Sequence, residues 1–447
     1  MQTPQKIAVV GSGLVGTLLA IYLKKLGHTV HVYDRSVDIR NVEFSGRSIN
    51  LVMSNRGWKA MKDVGLEDEI RKIGIPVDKR AIHTQDDKLN YQYYGKEGEA
   101  IFSLSRGVLN RRMIDLAADA GVVFFFEHKI WDVTLSTSTL HIGETERGEW
   151  SELKYDKVFG ADGAFSRIRH RMQRQSLFDY SQEFMKMGYK ELHIPANADG
   201  THKIDKNSLH IWPRGNFMLM ALSNLDGTFT CTLFMPFEGE NSFEQLKDEQ
   251  SLVAFFAKFF PDTAAVIPDL VKDFFKNPTS YMVKMKCYPW TFEDKVALIG
   301  DSAHAIVPFY GHGMNAGFED ITILNEMIAK YSDDWKTIFS EYQKSRKPNA
   351  DAIAELSSRN FVEMSTKTAD SNFLLQKKIE KWFSDKHPDK WIPLYSRVTF
   401  SLQPYSDALA IGDFQNKIME TIMKIPNIEV KWNSDEVENR IIALLNP

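Results

Sequence analysis

The stretch that decides the fold is the N-terminal run Lys6-Ile7-Ala8-Val9-Val10-Gly11-Ser12-Gly13-Leu14-Val15-Gly16. Its apolar beginning predicts a buried strand, and the apolar spacing from Thr17 to Leu26 predicts a helix that Gly27 ends. Residues 29–33 predict a second strand, which leads directly into Asp34. A GxGxxG turn between a strand and a helix, followed by an acidic residue, is typical of a dinucleotide-binding βαβ unit.

Each part of this turn has a physical reason. Gly11 permits the tight turn, Gly13 lets a pyrophosphate approach the backbone, and Gly16 lets the helix pack on the strand. The unpaired N–H groups at the helix start favour negative charge. Asp34, which follows Gly16 by 18 residues, can accept hydrogen bonds from ribose hydroxyls, and its charge argues against an NADP 2′-phosphate here. The turn alone does not separate NAD from FAD.

Composition excludes several classes of function. The chain has 447 residues, of which 43% are hydrophobic, and its net charge is −4 (55 basic minus 59 acidic residues), so it gives no support for a nucleic-acid partner. The only cysteines, Cys231 and Cys287, are far apart, which argues against a dithiol or cysteine-rich metal site. Because the sequence enters a predicted strand almost at once, we expect no signal peptide, and there is no run of 18 apolar residues. We therefore expect a cytoplasmic protein without a membrane anchor.

A second glycine-rich stretch follows the apolar residues 296–299, which predict a short buried strand. Gly300-Asp301 ends that strand, and three glycines between positions 311 and 317 lead into a helical pattern from Phe318 to Lys330. A carboxylate at a strand end and backbone amides at a helix start suit a large polar cofactor. Asp162, in a third glycine-flanked turn after a strand, suggests one cofactor domain assembled from separated segments.

The remaining patterns predict a mixed α/β chain. Residues 56–73 and 109–120 predict helices, and residues 122–126 predict a buried strand. From about 180 to 288 the period changes to that of strands, with a hairpin of residues 216–223 and 228–237 around Asn224-Leu225-Asp226-Gly227. Phe234 shares a strand face with Thr230 and Thr232. We expect a cofactor domain at 1–179 that contributes strands to the substrate sheet, a substrate domain at 180–288, a return to the cofactor domain at 289–330, and a helical region at 331–447 that covers the substrate pocket.

Taken together, the glycine turn, Asp162-Gly163 and Gly300-Asp301 resemble the class A flavoprotein aromatic hydroxylases, in which this order marks FAD. Residues 46–51, 209–213, 229–234, 308–315, 360–364 and 392–400 are similar to the branch of that family that hydroxylates kynurenine. The resemblance implies an α/β fold with a Rossmann-like FAD-binding domain of the GR2 type. It also implies an inserted, mainly antiparallel β-sheet substrate domain and a C-terminal helical region.

The resemblance also implies the site residues. Around the substrate they are Arg80, Tyr94, Phe234, Pro308, Phe309, Tyr310, Asn360, Met364 and Tyr395. Around FAD they are Gly11, Gly13, Leu14, Val15, Gly16, Tyr33, Asp34, Arg35, Arg47, Arg106, Ile130, Asp162, Asp301, Gly313, Met314 and Asn315. No acidic or basic side chain is identified as a catalyst, and no metal site is expected. Tyr310 and His312 stand where relatives commonly have other residues.

The activity that the resemblance implies is conversion of L-kynurenine to 3-hydroxy-L-kynurenine with O2 through a flavin C4a-hydroperoxide. It would serve tryptophan catabolism and de novo NAD synthesis by way of quinolinate. FAD would stay bound, whereas NADPH would dock transiently, since the chain has no second GxGxxG turn. A hydroxylase of another aromatic acid and a non-catalytic FAD-fold escort protein remain the alternatives. The sequence leaves the oligomeric state open.

Overall fold

The computed structural model describes residues 3–42, 49–86, 88–143, 150–365 and 370–445 of the chain. The strands are β1 (Lys6–Val10), β2 (Thr29–Tyr33), β3 (Asn50–Met53), β4 (Ile75–Val77), β5 (Lys79–His83), β6 (Leu89–Tyr93), β7 (Ile101–Ser105), β8 (Val123–Phe125), β9 (Ile130–Thr134), β10 (Thr139–Ile142), β11 (Ser151–Lys154), β12 (Lys157–Gly160), β13 (Asp179–Ile194), β14 (Ser208–Pro213), β15 (Met218–Ser223), β16 (Phe229–Pro236), β17 (Ser280–Tyr288), β18 (Thr291–Phe292) and β19 (Val296–Leu298). The helices are α1 (Leu14–Lys25), α2 (Asn55–Asp63), α3 (Glu67–Arg71), α4 (Arg106–Asp119), α5 (Arg167–Met172), α6 (Glu249–Phe259), α7 (Leu270–Lys276), α8 (Asp301–His304), α9 (Gly313–Tyr331), α10 (Trp335–Ser365), α11 (Ser371–Lys386), α12 (Leu394–Thr399), α13 (Tyr405–Ile422), α14 (Ile428–Lys431) and α15 (Asp435–Leu445).

A six-stranded sheet with the order β18-β19-β12-β1-β2-β8 forms the centre of the nucleotide-binding half. Strand β1 pairs in parallel with β2 and β12, and β12 pairs in parallel with β19. Parallel strands end at the same edge of a sheet, where ligands of such folds bind. The glycine turn after β1, the turn after β12 and Gly300-Asp301 after β19 therefore meet at one edge. This confirms the Rossmann-like part of the predicted fold.

The second large layer is a seven-stranded sheet with the order β17-β13-β16-β15-β14-β5-β6. It is antiparallel except for the parallel pair β14–β5. Strand β16 is buried on both faces: Cys231 and Leu233 pack in a phenylalanine-rich core with α6 and α7, whereas Phe234 packs in a separate cluster with Phe309 and Met364. The predicted hairpin is confirmed, since Ser223 pairs with Phe229.

The C-terminal part of the chain is helical, as predicted. One apolar cluster joins α11, α13 and α15, and a second joins α10, α12 and α13 to Tyr310 beside the second glycine-rich stretch. The C-terminal helices thus pack against the segment that ends the nucleotide-binding half. In the described parts of the chain, we find no helix with the length and apolar character needed to cross a membrane.

Three local predictions differ from the structure. Helix α9 begins at Gly313 rather than at Phe318. The helix predicted at 56–73 is divided into α2 and α3, because Gly65 between them has a φ of +70°. The strand predicted as buried at 122–126 is β8, the edge strand of the six-stranded sheet, and Val123 on it is 45% exposed. An apolar run does not by itself distinguish an edge strand from a central one.

Candidate functional site

A cavity of about 590 Å³ lies between the two large sheets. Its lining combines the glycine turn, the second glycine-rich stretch, one face of the seven-stranded sheet and helix α10. All nine residues that the sequence assigned to the substrate line this cavity: Arg80, Tyr94, Phe234, Pro308, Phe309, Tyr310, Asn360, Met364 and Tyr395. The fold thus brings together residues that are more than 300 positions apart in the chain. Their roles in binding stay a prediction.

One end of the cavity is polar and positively charged. Arg80 on β5 is only 8% exposed, and its guanidinium lies 5.5 Å from the centre of the Tyr94 ring and 5.0 Å from that of Tyr395. The Nε of Arg80 and the Tyr94 hydroxyl are buried without a well-formed hydrogen bond to any residue that the structure describes. Leaving such groups unpaired costs about 1–3 kcal/mol each. A ligand that carries an anionic group would satisfy both.

Electrostatics keep this end cationic. Burial opposes the charge of Arg80, but Tyr94, Tyr395 and Glu363 more than offset this effect, so the pKa of Arg80 lies above its ordinary value. Burial raises the pKa of the Tyr94 hydroxyl well above its ordinary value. Arg80 is therefore charged and Tyr94 neutral at physiological pH, so both can donate hydrogen bonds to a carboxylate.

Glu363 is a neighbour of this pocket that the sequence reasoning did not assign. Its Oε1 lies 3.9 Å from a terminal guanidinium nitrogen of Arg80, and its side chain is 34% exposed. The sequence could have indicated that Glu363 lies near the pocket, because Asn360, Glu363 and Met364 have the i, i+3, i+4 spacing of one helix face. The polar end thus has one positive and one negative group close together.

The rest of the substrate part is apolar and aromatic. The rings of Phe234 and Phe309 lie 5.1 Å apart, and Tyr395 stacks with both Tyr94 and Tyr310, at 4.9 and 5.6 Å. Sequence reasoning missed other lining residues, among them Leu209, Met220, Leu222 and Met282. Two of these residues could have been predicted from the sequence. The predicted hairpin pairs Leu222 with Thr230 and Met220 with Thr232, and paired residues share a sheet face.

Asn360 connects two elements of this pocket. Its amide nitrogen donates to the carbonyl oxygen of Phe309 at 2.7 Å and lies 3.2 Å from the sulfur of Met364. Helix α10 is therefore tied to the segment Pro308–Tyr310, which is a single turn of 3₁₀-helix. The tie fixes the apolar wall of the cavity.

The glycine turn has the predicted division of roles. Gly11 has a φ of +108°, and a Cβ there would lie 2.3 Å from the carbonyl oxygen of Ala161. A Cβ at Gly16 would lie 2.0 Å from the carbonyl oxygen of Gly11, whereas one at Gly13 would meet nothing within 4 Å. Gly13 also lines the cavity, together with Leu14 and Val15. The open space is thus at the residue where a pyrophosphate would approach, so the residues present fit a dinucleotide.

Asp34 holds the turn from the side. One of its carboxylate oxygens accepts hydrogen bonds from the backbone N–H and the hydroxyl of Ser12, at 2.7 and 2.8 Å, and the other accepts from the N–H of Ser36. Asp34 lies at the end of β2 and does not line the cavity. Its contact with a ribose stays a prediction. In the structure, its carboxylate binds Ser12 and so stabilises the glycine turn.

Other residues assigned to the cofactor lie away from the cavity. Tyr33 stacks on Phe125 in the core at 4.8 Å, and its hydroxyl bonds to that of Tyr155. Ile130 is buried in the same core, and Arg35 is exposed. Arg47 lies outside the described residues.

Asp162 has clear partners within the protein. One of its carboxylate oxygens accepts from the backbone N–H of Arg167 at 2.6 Å, near the start of α5, and the other accepts from the hydroxyl of Ser302 on α8 at 3.1 Å. Ala161, Gly163 and the two residues after it line the cavity, but Asp162 does not. Its side chain therefore shapes the turn from outside the cavity.

Asp301 behaves differently. It is the first residue of α8, its side chain is exposed to the cavity, and within the described chain no group donates a hydrogen bond to its carboxylate. Although the side chain is open to the cavity, the surrounding protein shields the carboxyl from bulk water, and this burial raises its pKa. Arg106, the first residue of α4, also lines the cavity. An unpartnered carboxylate on a cavity fits a ligand that offers hydroxyl donors, as the ribityl chain of FAD does.

The N-terminus of α9 completes this part of the cavity. Gly313 and Met314 line it, and the first internal hydrogen bond of the helix runs from the N–H of Ala316 to the carbonyl of His312. The N–H groups of the first three helical residues therefore point out of the helix end, with the positive end of its dipole. The Asn315 side chain does not line the cavity: it accepts from the N–H of Ser54 and donates to the carbonyls of Val52 and Gly311, and its predicted contact with FAD stays a prediction. These bonds hold the helix start in place.

His312 and His304 have protein partners rather than metal-binding companions. The Nδ1 of His312 lies 2.8 Å from the Tyr405 hydroxyl, and burial lowers the pKa of His312 to about 3, so it is neutral. His304 contacts Asp320. Among the residues that the structure describes, no three of His, Cys, Asp and Glu are grouped so that they could hold a metal ion.

Comparisons with known proteins agree with this geometry. A family described as "FAD binding domain" matches residues 5–357. The chain is 76% identical to "Kynurenine 3-monooxygenase" of Flavobacterium johnsoniae and 64% identical to that of Christiangramia forsetii, with 100% of both chains covered in each case. It is 40% identical to the protein of that name from Dictyostelium discoideum, over 94% of this chain and 93% of the other.

Solved structures show the same fold at lower sequence identity. The tetrameric form of 2-methyl-3-hydroxypyridine-5-carboxylic acid oxygenase aligns with a TM-score of 0.69 at 17% identity, over 83% of this chain and 94% of the other. PqsL of P. aeruginosa, in complex with 2-aminobenzoylacetate, aligns with a TM-score of 0.67 at 17% identity, over 83% of this chain and all of the other. These likenesses concern the fold alone. From its FAD-binding domain and its full-length similarity, we conclude that the chain belongs to the kynurenine 3-monooxygenase family.

Proposed function

We propose that this protein is an FAD-dependent monooxygenase that converts L-kynurenine, NADPH, H⁺ and O2 to 3-hydroxy-L-kynurenine, NADP⁺ and water. One observation carries the proposal: a single cavity joins the buried, cationic Arg80–Tyr94 end to the glycine turn, Asp301 and the start of α9. The full-length identity to named kynurenine 3-monooxygenases supports the choice of substrate. The reaction belongs to tryptophan breakdown, upstream of quinolinate and de novo NAD synthesis.

The polar end binds the amino-acid part of kynurenine in this proposal. Arg80 and the Tyr94 hydroxyl donate hydrogen bonds to the carboxylate, which accounts for the Arg80 Nε and the Tyr94 hydroxyl being buried without a well-formed hydrogen bond in the described chain. Glu363, 3.9 Å from Arg80, binds the α-ammonium group. A zwitterion needs one positive and one negative partner at close range, and Arg80 with Glu363 provides this pair.

The apolar part holds the aromatic ring. Phe234, Phe309 and Met364 pack around it and keep water away from the reacting position. When bound, FAD would supply the redox and oxygen-activating chemistry, and these residues would present the ring position ortho to the amino group for hydroxylation. The protein's own task is thus to orient the ring and to exclude water, and no side chain is assigned as an acid or base.

The cofactor part of the cavity binds FAD along its length. Gly13 and the start of α1 bind the pyrophosphate, with Asp34 near the ribose, and Asp301 accepts hydrogen bonds from the ribityl hydroxyls. The start of α9 directs its N–H groups and the positive end of its dipole towards the flavin ring, where they stabilise negative charge. Arg106 adds a positive charge nearby.

The proposal also includes the division of the chain and its location. Residues 1–179 and 289–330 bind FAD, residues 180–288 with β5 and β6 form the wall over the substrate, and residues 331–447 cover the pocket. Both cysteines are free and buried, which supports a reducing, cytoplasmic setting.

Anaerobic reduction of the bound flavin tests the proposal. The purified protein is mixed with NADPH in the absence of O2, with and without L-kynurenine, and the loss of flavin absorbance is followed over time. Kynurenine should accelerate the bleaching, and readmitted air should give one 3-hydroxykynurenine for each NADPH consumed. A colourless protein would favour an FAD-fold escort protein. Acceleration by another aromatic acid but not by kynurenine would identify a different hydroxylase.

A further inference from the structure

A buried group of charged residues lies behind the flavin part of the cavity. We call Asp320, His304, Arg346, Glu319 and Arg56 the Asp320 cluster, and each of its members is at most 9% exposed. Arg346 donates to one oxygen of Asp320 at 2.7 Å and to Glu319 at 2.6 Å, and Glu319 also pairs with Arg56. The cluster joins α2, α8, α9 and α10. None of its members lines the cavity.

Asp320 contacts both ends of the short helix that carries Asp301. The second oxygen of Asp320 accepts a hydrogen bond from the backbone N–H of Gly300 at 3.0 Å, and it lies 2.5 Å from the Nε2 of His304. Gly300 is the residue before α8, and His304 is the last residue of α8. One carboxylate oxygen therefore holds the beginning and the end of this single turn.

The turn is held from the opposite side as well. Gly300 has a φ of +61°, and a Cβ there would lie 3.0 Å from the side chain of Val15 on α1. The ring of His304 packs on Trp290 at 5.0 Å. The backbone of α8 is thus fixed between the glycine turn and the Asp320 cluster.

The direction of the Asp301 carboxylate depends on this backbone. No described group donates a hydrogen bond to that carboxylate, so its direction is not fixed by a hydrogen bond of its own within the described chain. Asp320 is ionised, since His304 and Arg346 outweigh the effect of burial and hold its pKa below the ordinary value. Hydrogen bonds to an ionised group are about twice as strong as neutral ones.

We propose that Asp320 is a positioning residue for FAD: by holding Gly300 and His304, it fixes α8 so that Asp301 meets the ribityl chain. This inference rests on the proposed function, because it takes Asp301 as an FAD ligand. Asp320 touches neither FAD nor substrate and acts only through the turn that it holds.

The test compares FAD release from four holoenzyme variants. Asp301→Asn removes the assigned ligand, and Asp320→Asn replaces an acceptor by an amide that presents NH2 to at least one of its three donors. Glu319→Gln is the matched control, because it weakens the same buried cluster without touching Gly300 or His304. The fourth variant is the Asp301→Asn/Asp320→Asn double mutant. Free FAD fluorescence after dilution gives the release rate, and thermal unfolding gives the stability of each variant.

Asp301→Asn should release FAD about tenfold faster or more, and Asp320→Asn should also accelerate release by about tenfold. Glu319→Gln should change release by less than about twofold, even where its loss of stability equals that of Asp320→Asn. The double variant should release FAD at nearly the rate of Asp301→Asn alone, since both changes act at one contact. Multiplied effects in the double variant would overturn the inference, as would equal effects of Asp320→Asn and Glu319→Gln.

Failure of the proposed function gives a different result. If Asp301→Asn leaves FAD release unchanged, the assignment of Asp301 is wrong, whatever Asp320→Asn does. If Asp320→Asn does not yield folded protein, His304→Phe replaces it, because it removes one donor to the same oxygen and keeps a ring against Trp290. His304→Phe should accelerate FAD release about threefold, and no acceleration would contradict the role of the turn.

Discussion

Replacing Arg80 by alanine separates substrate binding from cofactor binding. The side chain is buried and charged, and its Nε has no well-formed bond within the described chain, so the proposed carboxylate contact is its main polar interaction in the complex. Removing one partner of a buried, hydrogen-bonded charge pair costs about 2–5 kcal/mol. At 1.36 kcal/mol for each factor of ten, kcat/KM for kynurenine should fall roughly 30-fold to 5,000-fold.

The structure refines this range. Arg80 lies within 3.9 Å of Glu363, so Arg80→Ala leaves a carboxylate that repels the carboxylate of the substrate. The loss should therefore lie in the upper part of the range. Arg80→Lys keeps the charge but loses the planar fork, so its loss should be smaller than that of Arg80→Ala.

The assay measures kynurenine-dependent NADPH oxidation together with 3-hydroxykynurenine by chromatography, and the Kd of kynurenine from the change in flavin absorbance. The ratio of visible to ultraviolet absorbance gives the FAD content, which should equal that of the unchanged protein. A kynurenine Kd within threefold of the original value would refute the assignment of the polar end. Loss of FAD instead of substrate affinity would place Arg80 at the cofactor.

Four further substitutions test other parts of the site. Gly13→Ala should fold but bind FAD poorly, because its Cβ enters open space at the proposed pyrophosphate site, whereas Gly11→Ala should lower the Tm, because its Cβ would meet backbone. Flavin absorbance and thermal melts distinguish the two effects. A Gly13→Ala protein fully loaded with FAD would contradict the prediction. His312 is neutral in the folded protein because burial lowers its pKa from 6.5 to about 3. Its contribution to the free energy of unfolding is therefore fully present above pH 6.5, and it falls by about 1.4 kcal/mol per pH unit as the pH drops from 6.5 towards 3. His312→Gln should reduce this slope in urea unfolding between about pH 6 and about pH 4, and an unchanged slope would contradict it. Glu363→Gln should weaken kynurenine binding about tenfold but affect the analogue without an α-amino group less than about twofold, and equal effects in flavin-absorbance titrations would remove the ammonium contact.

Local sequence patterns predicted those strands and turns that are determined by residues close to them in the chain. Strand β1, the glycine turn and strand β2 lie where the apolar periodicity and the GxGxxG spacing put them. The requirement for a small residue at Gly16 arises locally, from the carbonyl of Gly11, whereas that at Gly11 arises from Ala161 in the distant turn after β12. The hairpin of β15 and β16 was predicted for the same reason, since its turn residues and its strand alternation are adjacent in the chain.

The start of α9 shows where local reasoning fails. The residues Gly311-His312-Gly313 have low intrinsic helix propensity, so the sequence favours a loop up to Phe318. Asn315 overrides this preference through bonds to Ser54, Val52 and Gly311, two of which lie more than 250 residues earlier in the chain. Tertiary contacts of this kind leave no local pattern.

The residues of the candidate site were also predicted only in part. Arg80, Asn360 and Tyr395 come from three distant segments, and only the family resemblance placed them in one pocket. Glu363 and Asp320 were missed, because an acidic residue on a helix usually faces solvent. The spacing of Glu363 from Asn360 and Met364 indicated the pocket face of the helix, whereas nothing in the spacing alone shows that Asp320 faces inward. The domain boundaries stay a prediction, because the sheet recruits β5 and β6 from outside the segment 180–288.

The position of Tyr395 has a consequence for how the protein is made. This ring stacks with Tyr94 and Tyr310, and it is carried by α12, more than 30 residues after the end of the matched FAD-binding domain. On the ribosome, every strand of the two large sheets has been synthesised before Tyr395 is added. The proposed kynurenine pocket is therefore completed only near the end of translation, after all the segments assigned to FAD have been made.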